Sequence, residues 1–330
     1  MPTTKLTQLV LESFAKRLGK RTVLPFDEYV DFALYEEQIG YYSTAKNRVG
    51  RSDQTDFFTS SSFGDLWGDL IVDACVDILD GENLHDYTFV EIAAEPEKFV
   101  LSGNDHPFGK TQVIRLGDPF QIPSPAVVYS NEWLDAQVFK RFRFDPQNKE
   151  WTEMGVTLEN GLFIEAAIDS VSSQAHSFPT EYANPYELDW PSGSIEALES
   201  LCSKNWSGLF LTFDYGLDQE TLLKERPQGT ARSYFRHEMG TDLLSNLGEQ
   251  DITCHLCWDE LIGILEKTQF NPSELVSQES FFMHHASRKI QEILSQSSAL
   301  PTSKTQALKE LIHPLHMGNK FQALWGLRKE

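Results

Sequence analysis

The sequence predicts an α/β protein built on a doubly wound, largely parallel sheet, and three observations carry that reading. Four short apolar runs, Tyr87–Ala94, Thr111–Leu116, Ala126–Ser130 and Gly208–Asp214, are nearly continuous, as strands covered on both faces must be. Most of them lead into polar or acidic residues, where a parallel sheet presents ligand-binding groups beyond the carboxyl ends of its strands. Around these runs lie segments with helical spacing and one insert with the alternation of an antiparallel meander.

In chain order, Leu6, Leu9, Val10, Phe14 and Leu18 fall at helical spacing. The basic residues around them, Lys5, Lys16, Arg17, Lys20 and Arg21, therefore read as one face of an amphipathic helix rather than as an organelle presequence. Pro25 starts a second helix, with Phe26, Tyr29, Val30, Ala33 and Leu34 as its apolar stripe and Gly40 beyond its end. The clearest helix carries Phe63, Leu66, Trp67, Leu70, Ile71, Ala74, Cys75, Ile78 and Leu79.

After the third strand come Val138–Phe144, Trp151–Leu158 and Leu162–Ile168, a meander with Asn160-Gly161 as its turn. A loop rich in aromatics (Phe178, Tyr182, Tyr186, Trp190) leads to a helix near Ser194–Cys202. The remainder reads as a polar stretch, a helix at Trp258–Lys267, a strand around Glu274–Phe282, a helix from Met283 to Ser297 and a closing strand at Lys320–Leu327.

Composition narrows the function. At 330 residues with 40% hydrophobic content the chain builds a large core, and its net charge of −21 repels polyanions. A nucleic-acid substrate is excluded on that ground, whereas a basic peptide or protein is attracted. No segment has the roughly 20 apolar residues of a membrane span, and the N-terminus lacks the apolar stretch of a secretory signal. Four scattered cysteines, Cys75, Cys202, Cys254 and Cys257, form no disulfide framework, which fits a reducing cytoplasm. Cys254-His255-Leu256-Cys257 is a single pair without a second at metal-binding spacing, so two thiols are expected there and no metal site.

Seven pieces occur in one order: Phe26-Asp27-Glu28-Tyr29-Val30 through Ile39-Gly40-Tyr41-Tyr42; Asp56-Phe57-Phe58-Thr59 with Leu66-Trp67-Gly68; Val90-Glu91-Ile92; Asn131-Glu132-Trp133-Leu134-Asp135-Ala136; Phe213-Asp214-Tyr215-Gly216; Asp251-Ile252-Thr253-Cys254-His255; and Met317-Gly318-Asn319-Lys320-Phe321. Together they resemble the MidA family of S-adenosylmethionine-dependent protein methyltransferases, relatives of a mitochondrial complex I assembly factor. The resemblance runs from about residue 5 to 326. It implies the class I methyltransferase version of the doubly wound fold, with a helical cap and cofactor-covering loop over residues 1–85. The Rossmann-like core then spans 86–330, with insertions at about 137–193 and 217–256.

The resemblance also implies site residues. Glu132 and Asp135 would orient the guanidinium of a protein arginine and offset its charge; their alternative use is to cap the turn that follows. Asn131 would contact the cofactor through its amide, and Asp214 would reach the same cleft or cap its own loop. Asp56 and Thr59 lie on the covering loop, and Glu91 ends the first strand at the cofactor. His255 would serve as a base or substrate contact, or hold a structural hydrogen bond.

One stretch departs from the family pattern. Where relatives carry Glu-x-Gly-x-Gly-x-Gly, this chain reads Glu91-Ile92-Ala93-Ala94-Glu95-Pro96-Glu97, with no glycine to let the backbone approach a cofactor. The 16 residues between Ala94 and Thr111 are also too few for the two helices and the strand expected there. Two functions follow: methyl transfer to a protein arginine with impaired cofactor binding, or a pseudoenzyme that keeps its acceptor cleft for protein binding or assembly. In the second, the helical cap and the Phe178–Trp190 loop would be recognition surfaces.

Overall fold

The apolar runs become strands without an exposed face because both sides of the sheet are covered. Numbering the strands of this sheet alone, β1 is Thr88–Ile92, β2 Lys110–Ile114, β3 Ala126–Asn131, β4 Gly208–Asp214, β5 Ser273–Ser277 and β6 Gln322–Arg328. Their order is β5-β6-β4-β3-β1-β2. β1, β2, β3 and β4 run parallel, while β6 pairs antiparallel with both β4 and β5. Every residue of β1 and β4 is buried, whereas β2, at the edge, is exposed over Lys110 and Thr111. The described part of the connection from β1 to β2 contains no helix, and neither does the connection from β2 to β3.

The computed structural model describes residues 7–43, 63–94, 99–169, 173–236, 238–296 and 302–329. Contacts divide the chain into two units, residues 1–58, 134–196 and 217–257 forming one and 59–133, 197–216 and 258–330 the other. The six-stranded sheet belongs to the second. One of its faces, bearing Phe89, Val127, Tyr129, Leu209, Leu211 and Phe213, is covered by the helices Asp65–Ile78, Gln278–His285, Ser287–Ser295 and Ser303–Ile312. Trp67 sits at the centre of that layer. Its ring meets Phe213 edge-on at 5.0 Å and Phe282 at 5.1 Å, and its Nε1 donates to the Tyr129 hydroxyl at 2.7 Å. Phe281 and Phe282, expected at the end of a strand, lie instead in a helix that Ser277 starts by accepting from Ser280 N at 3.1 Å.

The first unit is built on the meander. Glu150–Glu159 pairs antiparallel with Lys140–Asp145, Leu162–Ala167 and Leu24–Pro25. Asn160 and Gly161 take φ of 51° and 79°, the left-handed pair that the hairpin's twist requires. A further strand, Tyr186–Trp190, pairs with Lys140–Asp145 inside the segment read as an aromatic loop. Phe178, Tyr186 and Trp190 are consequently buried in a cluster with Phe142, Phe144 and Trp151, so these three rings face inward and present no recognition surface. A small sheet of Glu238–Gly240, Arg232–Phe235 and Asp251–Thr253 occupies the polar stretch after Asp214.

Beneath Tyr186–Trp190 runs a buried ionic network. Arg141 donates from Nε to Asp189 Oδ1 at 2.8 Å and from Nη1 to Glu165 Oε1 at 2.7 Å, with its guanidinium 4.7 Å over the Phe26 ring. The second oxygen of Asp189 accepts from Thr230 N and Ala231 N, both at 2.8 Å. Gly229, at φ +65°, lets the loop come this close, since a Cβ there would stand 2.3 Å from Asp189 Oδ2.

Candidate active site

Parallel register brings the strand-end residues together. Ile92, Ser130 and Thr212 lie side by side across β1, β3 and β4, so Glu91, Asn131, Glu132 and Asp214 gather at one carboxyl edge of the sheet. Below that edge Ser130 Oγ donates to Thr212 Oγ1 at 2.8 Å, joining β3 to β4 through two fully buried side chains. The backbone turns sharply at Glu132, which takes φ +49°, and its N–H is held by Phe213 O at 2.9 Å. A left-handed conformation at a side-chain-bearing residue is uncommon and clusters at functional sites. Asn131 Nδ2 donates to Glu132 Oε1 at 3.0 Å. Asp214 is buried and accepts from Tyr215 N at 2.9 Å.

The turn after β1 retains a backbone shape without its glycine. Ala93 takes φ +59°, and its N–H donates to Ile114 O at 2.9 Å. The Glu91 carboxylate turns inward to accept from Val100 N at 2.7 Å, tying the returning chain to the strand. Arg115, the first residue after β2, donates from Nη1 to Ala94 O at 3.2 Å. Asp118 accepts from Arg115 N at 2.9 Å. Burial pushes the Tyr129 phenol up, with the Glu91 and Glu132 carboxylates adding to it.

The boundary between units passes between Trp133 and Leu134, so Asp135 and His255 belong to the first unit. There Asp135 and Asp251 are both buried, and they sit close enough to Tyr35 and Tyr42 to help burial raise both phenols. Tyr35 stacks on Tyr42 at 5.5 Å and donates to Ala136 O at 2.5 Å. Asp251, Tyr35 and Tyr42 stand in the motif pieces but received no role from the sequence. Their grouping is tertiary, and the only linear sign of it is the Gly40-Tyr41-Tyr42 run. Asp56 and Thr59 lie outside the described residues, as do Glu95, Pro96 and Glu97.

His255 lies beside the same small sheet, its N–H donating to Thr230 Oγ1 at 3.3 Å. Burial, with the Arg232 and Arg226 guanidiniums adding, lowers its pKa from 6.5 to about 4. The fold thus holds a neutral imidazole that the unfolded chain would protonate below about 6.5. The stability this contributes is complete above pH 6.5 and is lost as pH falls toward 4. Urea midpoints measured from pH 7 down to 4.5 should fall with acid, and His255→Gln should flatten that fall. Identical profiles for the two proteins would count against the assignment. Among the described residues no three side chains of metal-ligating type come together, and Cys254 and Cys257 are both buried.

Comparison with known proteins places this edge in context. Residues 107–276, just over half of the chain, match the family model described as "Putative S-adenosyl-L-methionine-dependent methyltransferase". The chain belongs to that methyltransferase family, whose cofactor is S-adenosylmethionine. The match begins downstream of residues 91–97. No curated protein matches the sequence. Among solved structures, a Burkholderia thailandensis protein crystallised with S-adenosyl-homocysteine is similar over 97% of this chain and 92% of its own, with TM-score 0.82 and 20% identity. A native crystal structure from the same organism covers the same shares with TM-score 0.78 and 18% identity. These likenesses define the fold as that of a Rossmann-like methyltransferase. No helix among the described residues is long and apolar enough to cross a membrane.

Proposed function

We propose that this protein methylates an arginine side chain of a protein substrate, with an affinity for S-adenosylmethionine weaker than its fold would allow. The observation carrying the reading is the strand-end register that sets Asn131, Glu132 and Asp214 at one edge of the sheet beside the turn at Ala93. A carboxylate presented there by a fixed backbone binds a guanidinium, offsets its charge and aims one nitrogen, so positioning does the work. The net charge of −21 favours a basic segment of a protein partner. The small number of scattered cysteines, all four buried, supports a cytoplasmic setting. With its pKa lowered to about 4, His255 is a weak base, which argues against a proton-abstracting role for it.

The side chains around the turn fit the cofactor poorly. Ala93 keeps the left-handed backbone but adds a Cβ, and the Arg115 guanidinium on the Ala94 carbonyl puts a positive charge beside a turn that would have to receive a positively charged sulfonium nucleoside. No chemical step is therefore routed through the cofactor here. The same contacts favour a second reading, in which the chain is a non-catalytic methyltransferase relative that binds a protein partner in assembly or regulation.

Calorimetric titration with S-adenosylmethionine and S-adenosylhomocysteine separates the two. The first reading expects dissociation constants of about 0.1–1 mM, that is, roughly 4–5.5 kcal/mol of binding free energy. Absence of heat and of any thermal shift at millimolar ligand would sink it and leave the second. If methyl transfer is observed, Glu132→Gln should reduce it by about a hundredfold or more while leaving cofactor affinity unchanged.

A further inference from the structure

Asn131 ends β3 with its amide divided between two surroundings. The nitrogen donates to Glu132 Oε1 at 3.0 Å. The oxygen is shielded from solvent and meets no donor among the described residues. The two amide atoms are not interchangeable here. A carboxylate only accepts, so the NH2 must face Glu132 and the carbonyl must face away from it. Burying an acceptor without a donor is costly, and native proteins keep such groups where something else supplies the donor. The surroundings are also rigid: Glu132 is pinned through its N–H to Phe213 O, and the preceding Ser130 is bonded to Thr212.

We infer that Asn131 Oδ1 and the Glu132 carboxylate together receive two N–H groups of the acceptor guanidinium, so that Asn131 sets the preference for arginine over lysine. This rests on the reading of Glu132 given above. One hydrogen of the Asn131 amide is committed to Glu132 and the amide oxygen has no donor among the described residues, so the unmet capacity that Asn131 offers a ligand is an acceptor. A guanidinium carries five N–H donors in a flat fork and reaches a carboxylate and a neighbouring carbonyl at once. An ammonium satisfies Glu132 as a point charge and gains less from a second acceptor held in a fixed direction.

The test uses the full chain without cofactor, titrated calorimetrically with a glycine-flanked arginine pentapeptide and with its lysine counterpart. The parent should prefer the arginine peptide by about tenfold. Asn131→Ala should bring the two peptides to within about twofold of each other by weakening the arginine peptide alone. Asn131→Ser, whose hydroxyl is too short to replace the carbonyl, should do the same and serves if the alanine variant fails to fold. A merely structural role would weaken both peptides alike, and that result, or an unchanged preference, overturns the inference while the reading of Glu132 stands. A parent that binds neither peptide overturns both.

Discussion

Arg141→Leu is expected to destabilise the protein by about 3–5 kcal/mol, the usual cost of removing one partner from a buried ion pair. The Asp189 side chain is wholly buried, and it would keep the Thr230 and Ala231 N–H groups while losing the only cation bonded to it among the described residues. Glu165 and Glu187 would lose the same guanidinium, although Arg143 continues to serve both. Arg141→Lys should recover only part of the loss, because an ammonium cannot reproduce the fork that reaches Asp189 and Glu165 together. Urea unfolding followed by tryptophan fluorescence measures both variants. A loss below about 1 kcal/mol for Arg141→Leu would mean that Asp189 is not isolated by the fold as described.

Trp67→Ala should cost about as much, roughly 3–5 kcal/mol, as deletion of a buried aromatic ring does. The side chain is fully buried and touches Phe213 and Phe282, so its removal leaves a cavity between the helix layer and the sheet. It also strands the Tyr129 hydroxyl, which accepts the indole N–H inside the core. Trp67→Phe keeps most of the volume and loses the hydrogen bond, so it should retain the larger part of the stability. Comparing the two variants by denaturant midpoint separates packing from hydrogen bonding. Equal losses would put the whole effect on the Tyr129 contact.

The parts of this molecule that could be read from sequence are those where one physical requirement dominates. Thr88–Ile92, Ala126–Asn131 and Gly208–Asp214 are covered on both faces, so their residues are apolar in a row and the strands stand out. Glu91, Asn131, Glu132 and Asp214 inherit that legibility, because a residue just past a visible strand has a known place. Tyr186–Trp190 alternates aromatic or aliphatic with acidic residues at strand period, but the prolines at either side and its short length gave it the look of a loop. Its acidic positions turn out to meet Arg141 and Arg143, which lie far away in the chain. Asp251–Thr253 is three residues long, below any useful periodicity. The pairing of Asp251 with Tyr35 and Tyr42 joins segments some 200 residues apart, and no local pattern encodes it.

The position of β6 bears on how the chain reaches this state during synthesis. Gln322–Arg328 is inserted between β5 and β4, both earlier in the chain, and Arg328 donates to the carbonyls of Cys202, Lys204 and Trp206. Until it leaves the ribosome, two finished strands expose hydrogen-bonding edges that nothing yet saturates. Nascent chains of this protein thus carry a period of vulnerability to strand-mediated association that lasts until Gln322–Arg328 has been made, and a chain truncated before that strand would keep it.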